Sequence, residues 1–181
     1  MLHLLDGNIR TLSIARDKHI GVPPENIHNY QDLLNYLNQL NADWIKAAKR
    51  MSPQMIIEWM KITGKQFCDY VKTLDPMDTA VFGVAWAGEE TSPNWFHWAR
   101  EYTEKWHHQQ QIRLAVGKEA DLYTAELYHP HLNTSMRALS HHYKNFPGIK
   151  DDVLRFEVTG EGGGNWYLYH DGMTWIQTEE I

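Results

Sequence analysis

The spacing of apolar residues changes once along the chain, near residue 150. Before that point apolar side chains recur every three or four positions, which is typical of amphipathic helices. After Pro147-Gly148 the period becomes two, and Leu154, Phe156 and Val158 alternate with charged residues. This alternation predicts a half-buried β-strand.

Two further strands, predicted over Trp166–Tyr169 and Met173–Gln177, complete a three-stranded antiparallel meander. The predicted fold class is therefore α+β. We expect a helical bundle over residues 1–148, followed by a small β region over residues 149–181 that packs on the bundle.

Three capping signals predict where helices begin. Asn29 precedes an apolar series at helical spacing, and Ser52-Pro53 and Ser92-Pro93 each pair a capping serine with a proline. The last signal opens a long helix that runs towards Gly117. Further on, Pro130 is expected to interrupt the helical pattern, which places its neighbours His129 and His131 in a connector.

Composition limits the classes of function. Hydrophobic residues make up 43% and charged residues 22% of the chain, as in ordinary globular proteins, and the net charge of -6 argues against a nucleic-acid surface. The single Cys68 excludes an internal disulfide, and no apolar run approaches the length of a membrane span. A cytoplasmic protein with neither a membrane nor a nucleic-acid partner is the expectation.

Eleven histidines are many for 181 residues, and two patterns give some of them a candidate role. Glu104 and His108 lie one helical turn apart, so a carboxylate and an imidazole share one helix face. This spacing can hold a divalent ion if a third ligand is present. The alternative is an ordinary amphipathic helix that buries Trp106 and leaves both polar side chains in water.

The segment Met1–Arg16 has the same division into two faces. His3, Gly7 and Arg10 share one helical face, and Leu5 lies on the apolar one. Glycine costs helix stability, so its place one turn from His3 suggests that open space is needed there. The alternative is that His3 only lies near a frayed terminus.

These two segments carry a family resemblance. His3–Asp17 resembles the second-helix motif of the mycothiol-dependent maleylpyruvate isomerase N-terminal family, within the DinB-like superfamily. Arg100–Arg113 is similar to a later helix of that family, which carries an acidic residue, a histidine four positions on and an Ile/Leu-Arg pair. Leu154–Trp175 resembles the small C-terminal β region of such proteins.

The resemblance implies a metal site and an activity. Its motif makes His3, Glu104 and His108 the ligands of a divalent ion, with Zn as the first expectation and Ni, Fe or Mn as alternatives. It further implies a transferase or isomerase that uses a low-molecular-weight thiol on a small electrophile. A non-enzymatic metal-binding protein of stress response or structural role is the alternative, and a chain that binds no metal is a third.

Gln111 and Arg10 are further candidate residues beside that site. Gln111 stands where many relatives carry Asp, and it can still accept a hydrogen bond from the ring of His108. Arg10 is a candidate catalytic residue that steadies an anionic substrate, and its alternative is a solvated helix arginine.

The chain also departs from the family at its ends. Relatives begin with one more helix before the His3 motif and continue beyond the last predicted strand, so a fragment or a late start is expected. A bundle without that helix would expose an apolar face, which makes a homodimer or an exchanged helix an open possibility.

Overall fold

A computed structural model describes residues 1–25 and 27–178 of the chain. It divides into two compact units, Met1–Asp75 and Pro76–Ile181. Helices together with one antiparallel sheet confirm the α+β class. No helix in the described part of the chain combines the length and the apolar character that crossing a membrane requires.

The first unit contains the α-helices α1 (Leu2–Thr11), α2 (Tyr30–Ala48) and α3 (Pro53–Val71), and a π-helical segment, Leu12–Arg16, continues α1. The predicted caps of α2 and α3 are confirmed. The Asn29 side chain accepts a hydrogen bond from the Asp32 backbone N–H at 3.0 Å, and the Ser52 hydroxyl accepts one from the next turn of α3.

Helix α1 packs against both of the other helices of its unit. Its apolar face is fully buried at Leu5, which has no exposed area. Two polar residues of α1, Asp6 and Asn8, are buried as well. The Asn8 amide donates to the Thr63 hydroxyl on α3 at 3.3 Å. The first unit therefore buries polar groups beside its apolar core. The spacing of apolar residues along the sequence does not reveal this burial.

The second unit holds α4 (Asn94–Ala115), α5 (Ala125–Met136) and α6 (Leu139–Tyr143). Helix α4 packs along α5, and a short 3-10 turn at Ala85–Ala87 lies against α6. A small core of Val84, Phe96 and Ala138, each almost fully buried, joins these elements.

The sheet belongs to the same unit and consists of β1 (Val153–Val158), β2 (Gly164–His170) and β3 (Trp175–Thr178) in that order, with both pairings antiparallel. The three strands of the predicted meander are thereby confirmed. On β2 the buried positions alternate, because successive side chains point to opposite faces of a strand. Trp166 on this buried face donates from its indole N–H to the Asn133 side chain on α5 at 2.8 Å, which ties the sheet to the helices.

Two local predictions are wrong. Helix α4 begins at Asn94 with Pro93 as its cap residue, because the Ser92 hydroxyl is used elsewhere. That hydroxyl accepts from the Val84 backbone N–H at 3.0 Å and donates to the Glu89 carboxylate at 2.6 Å. A tertiary contact thus takes the side chain that would have capped the helix.

The second correction concerns Pro130, which lies inside α5 and does not interrupt it. The Pro130 carbonyl still accepts a hydrogen bond from the Thr134 hydroxyl at 2.8 Å. His129 and His131 are therefore helix residues and not part of a connector. One consequence is that the side chain of His131 is held at a fixed place beside α4.

Candidate metal centre

Glu104 and His108 occupy successive turns of α4, as their spacing predicts. Glu104 Oε1 lies 3.7 Å from His108 Nε2, with the two side chains 48% and 27% exposed, respectively. A tetrahedral ion with bonds of 2.0–2.2 Å has ligand atoms about 3.4 Å apart. The observed separation is close to that value, so this pair of donor atoms fits one divalent ion.

Gln111 fixes the orientation of the His108 ring. Its Oε1 lies 2.9 Å from His108 Nδ1, and its Nε2 lies 3.1 Å from the His107 ring Nε2. If the amide nitrogen donates to His107, the amide oxygen is the acceptor for His108, and the His108 proton is assigned to Nδ1. The lone pair of His108 is then on Nε2, the atom that faces Glu104. This is the arrangement that a metal-ligating imidazole normally shows.

His97 and Glu101 form a second histidine–glutamate pair, earlier on α4. The Glu101 carboxylate, of which 14% is exposed, contacts Arg100 at 2.7 Å and Lys105 at 3.5 Å. Burial opposes its ionisation, but the positive charges of Arg100 and Lys105 outweigh burial and hold the pKa of Glu101 below its usual value. This carboxylate is thus committed to ion pairs within its own helix.

The other predicted residues lie in the first unit. His3 is half-buried on α1, and an added Cβ at Gly7, one turn on, would meet nothing within 4 Å. The open space predicted beside His3 is therefore present. His3 lies in the first unit, whereas Glu104 and His108 lie in the second. The site with these three ligands therefore stays a prediction.

Arg10 is engaged by neighbours in its own unit. Its Nε lies 2.9 Å from the buried Asp6 carboxylate, and its guanidinium donates to the Asn41 side chain at 3.3 Å. Burial raises the pKa of Asp6, and the charges of Arg10 and His3 oppose that rise. Because Asp6 already balances its charge, the predicted substrate role of Arg10 would have to compete with this ion pair.

An open cavity of about 370 Å³ lies beside Glu104 in the second unit. Thr103 and His107 line it from α4, and His131 and Ser135 line it from α5. The 3-10 turn contributes Trp86. The wall is completed by Ala138, which precedes α6, and by Leu139 and His142 on α6. The candidate ligand Glu104 therefore opens onto a space large enough for a small molecule.

The sequence interpretation missed the cavity and the role of His131 in its wall. The His131 ring stacks on the buried Trp106 ring with centroids 4.2 Å apart, and Trp106 also stacks on Tyr128 at 4.9 Å. A helical period that continues through Pro130 would have placed Tyr128, His131 and Ser135 on one side of α5. The expectation of a helix break at proline concealed that signal.

No protein-family model, curated protein or solved structure matches the chain. The resemblance to the DinB-like superfamily accordingly stays a prediction from the residues that carry it.

Proposed function

We propose that the chain is a divalent-metal-dependent enzyme, a transferase or isomerase that uses a low-molecular-weight thiol on a small electrophile. Glu104 and His108 hold the ion, and His3 is the third ligand that the family resemblance supplies. Zn is the expected ion, with Ni, Fe or Mn as alternatives for a histidine and carboxylate donor set.

The observation that carries the proposal is the 2.9 Å contact between His108 Nδ1 and Gln111 Oε1. A solvated helix face would need no such contact, since water can orient an exposed imidazole equally well. With the proton on His108 Nδ1, the amide oxygen holds the tautomer whose Nε2 can coordinate, with Glu104 Oε1 3.7 Å away. The donor pair is then arranged for a cation.

The surroundings of the pair favour an enzyme over a purely structural metal site. A structural zinc site is usually closed by four protein ligands, whereas a catalytic one keeps an open position. Here Glu104 lines an open cavity of about 370 Å³. An ion held there would lower the pKa of a bound water or thiol and so supply a nucleophile at neutral pH.

Metal content of the purified full-length chain, measured by elemental analysis, tests the proposal. We expect close to one equivalent of a divalent ion, and its loss in His108→Ala. His28→Ala is the matched control, because His28 is an exposed histidine outside the candidate site. Circular dichroism would show that both variants keep their helices.

Conversion of an electrophile in the presence of a free thiol then separates the enzyme from the non-enzymatic alternative, because a transferase consumes the thiol and an isomerase regenerates it. We expect a metal-dependent rate that His108→Ala abolishes. Bound metal without such a rate would favour the non-enzymatic metal-binding protein. No bound metal in the unmutated chain, or equal metal in His108→Ala, would overturn the proposal.

A further inference from the structure

The cavity beside Glu104 differs from a typical anion site in its lining. Glu104 is the one formally charged side chain among its lining residues, all of which lie in the described part of the chain, and no Lys or Arg is among them. An anionic group in the body of a ligand would therefore find no Lys or Arg partner in the lining. A carboxylate that loses part of its hydration without gaining a partner is destabilised.

The two hydroxyl groups of the lining can only accept hydrogen bonds. The Thr103 hydroxyl donates its proton to the Arg100 carbonyl at 2.7 Å, and the Ser135 hydroxyl donates to the His131 carbonyl at 2.9 Å. Each hydroxyl has one proton, so towards the cavity each offers lone pairs alone. Such oxygens suit N–H or O–H groups of a ligand and disfavour a carboxylate or phosphate.

His131 supplies a donor. Its Nδ1 is buried and, within the described chain, has no hydrogen-bond partner, so Nε2 is the polar atom that this ring can offer to the cavity. A buried N–H without a partner is rarer than a lone pair without one, which favours the proton on Nε2. Burial, and then the charge of His107, lowers the pKa of His131, so the ring is neutral at neutral pH.

Two more histidines, His107 and His142, line the cavity, and the rest of the wall is apolar and partly flat. The indole of Trp86 lines the cavity and is held edge-on against the buried Phe96 ring, with centroids 5.9 Å apart. Ala138 and Leu139 add aliphatic surface. A flat ring or conjugated group can cover such a wall without losing polar contacts.

From these features we infer that the cavity takes a small molecule with a single metal-coordinating group and an otherwise uncharged, flat body, to which His131 donates a hydrogen bond. The inference rests on the proposed function for the coordinating group. It assigns the substrate class: an electrophile without a second carboxylate or phosphate. This class departs from the anionic substrate for which Arg10 was a candidate.

Two probes of matched shape test the charge of the body. We would titrate 4-carbamoylbenzoate and terephthalate into the zinc-loaded full chain at pH 8 by calorimetry, where unperturbed imidazoles are neutral. Both carry one carboxylate for the metal and differ in the second group, an amide or a carboxylate. We expect the amide to bind at least tenfold more tightly. Equal binding, tighter binding of terephthalate, or no binding of either probe to the metal-loaded chain would overturn the inference.

Variants test the residues. His131→Phe keeps a ring on Trp106 and removes the N–H, and it should weaken the amide probe about fivefold, as the loss of one neutral hydrogen bond predicts. His28→Phe, at an exposed position in the first unit, is its control. An unchanged affinity in His131→Phe would refute the donor role.

A gain of charge should have the opposite effect. Ser135→Lys places a cation in the wall and should reduce or reverse the preference for the amide probe. Ala125→Lys adds the same charge on an exposed turn of α5 outside the cavity and should not. The same preference in both variants would contradict the assignment.

Failure of the proposed function can be told apart from failure of this inference. If the proposed function is wrong, the unmutated chain binds no metal, whatever the probes do. In that case benzamide against benzoate, which need no metal, tests the lining alone, and preference for benzoate would overturn the inference on the cavity.

Discussion

Gln111→Ala is the change that most specifically examines how the proposed ion is held. It removes the oxygen that accepts from His108 Nδ1 at 2.9 Å and leaves Glu104 and His108 themselves intact. Loss of such an outer partner typically lowers metal affinity 10- to 100-fold. Gln111 is exposed, so water can replace part of the bond, and we expect about tenfold, or about 1.4 kcal/mol.

A competition titration of Zn²⁺ against a chromophoric chelator would measure this change. Gln109→Ala is the matched control, since Gln109 is also exposed on α4 and the same atoms are deleted. Gln111→Glu should retain or increase the affinity, because a carboxylate accepts the same hydrogen bond and raises the basicity of the imidazole. Equal affinity in Gln111→Ala and Gln109→Ala would refute the reasoning.

Further predictions concern stability. Ser52→Ala should lower the free energy of unfolding by about 1 kcal/mol in urea, because the hydroxyl accepts from the Met55 backbone N–H at the start of α3. Leu168→Ala should cost about 2–5 kcal/mol by the same assay, since this side chain of β2 has no exposed area. The folded chain holds the pKa of His131 below its usual value, so the unfolded chain binds that proton first as the pH falls. The free energy of unfolding should therefore fall below about pH 6.5 by more in the unmutated chain than in His131→Phe.

Features encoded by neighbouring residues could be predicted from the sequence. The caps at Asn29 and Ser52 depend on bonds to residues three positions on, and the strands follow from alternation alone. The closeness of Glu104 to His108 is likewise a property of one helix. Local chemistry decides each of these cases, and the structure keeps the local interaction.

Features that depend on distant residues could not be predicted. Ser92 is drawn away from its helix by Val84 and Glu89, and the sequence gives no sign of that competition. The cavity is built from α4, α5, α6 and a 3-10 turn, so its lining is not a motif at any spacing. The pair of donor residues, Glu104 and His108, could therefore be predicted from the sequence. The cavity beside Glu104 could not, because it depends on the tertiary structure.

Anomalous scattering from a crystal of the purified chain, recorded on both sides of the zinc absorption edge, tests the metal claim most directly. We expect one strong peak about 2.0–2.2 Å from a Glu104 carboxylate oxygen and from His108 Nε2. We also expect His108 Nδ1 to stay bonded to Gln111. A crystal grown with zinc that shows no peak at this pair, or a peak bound through His108 Nδ1, would contradict it.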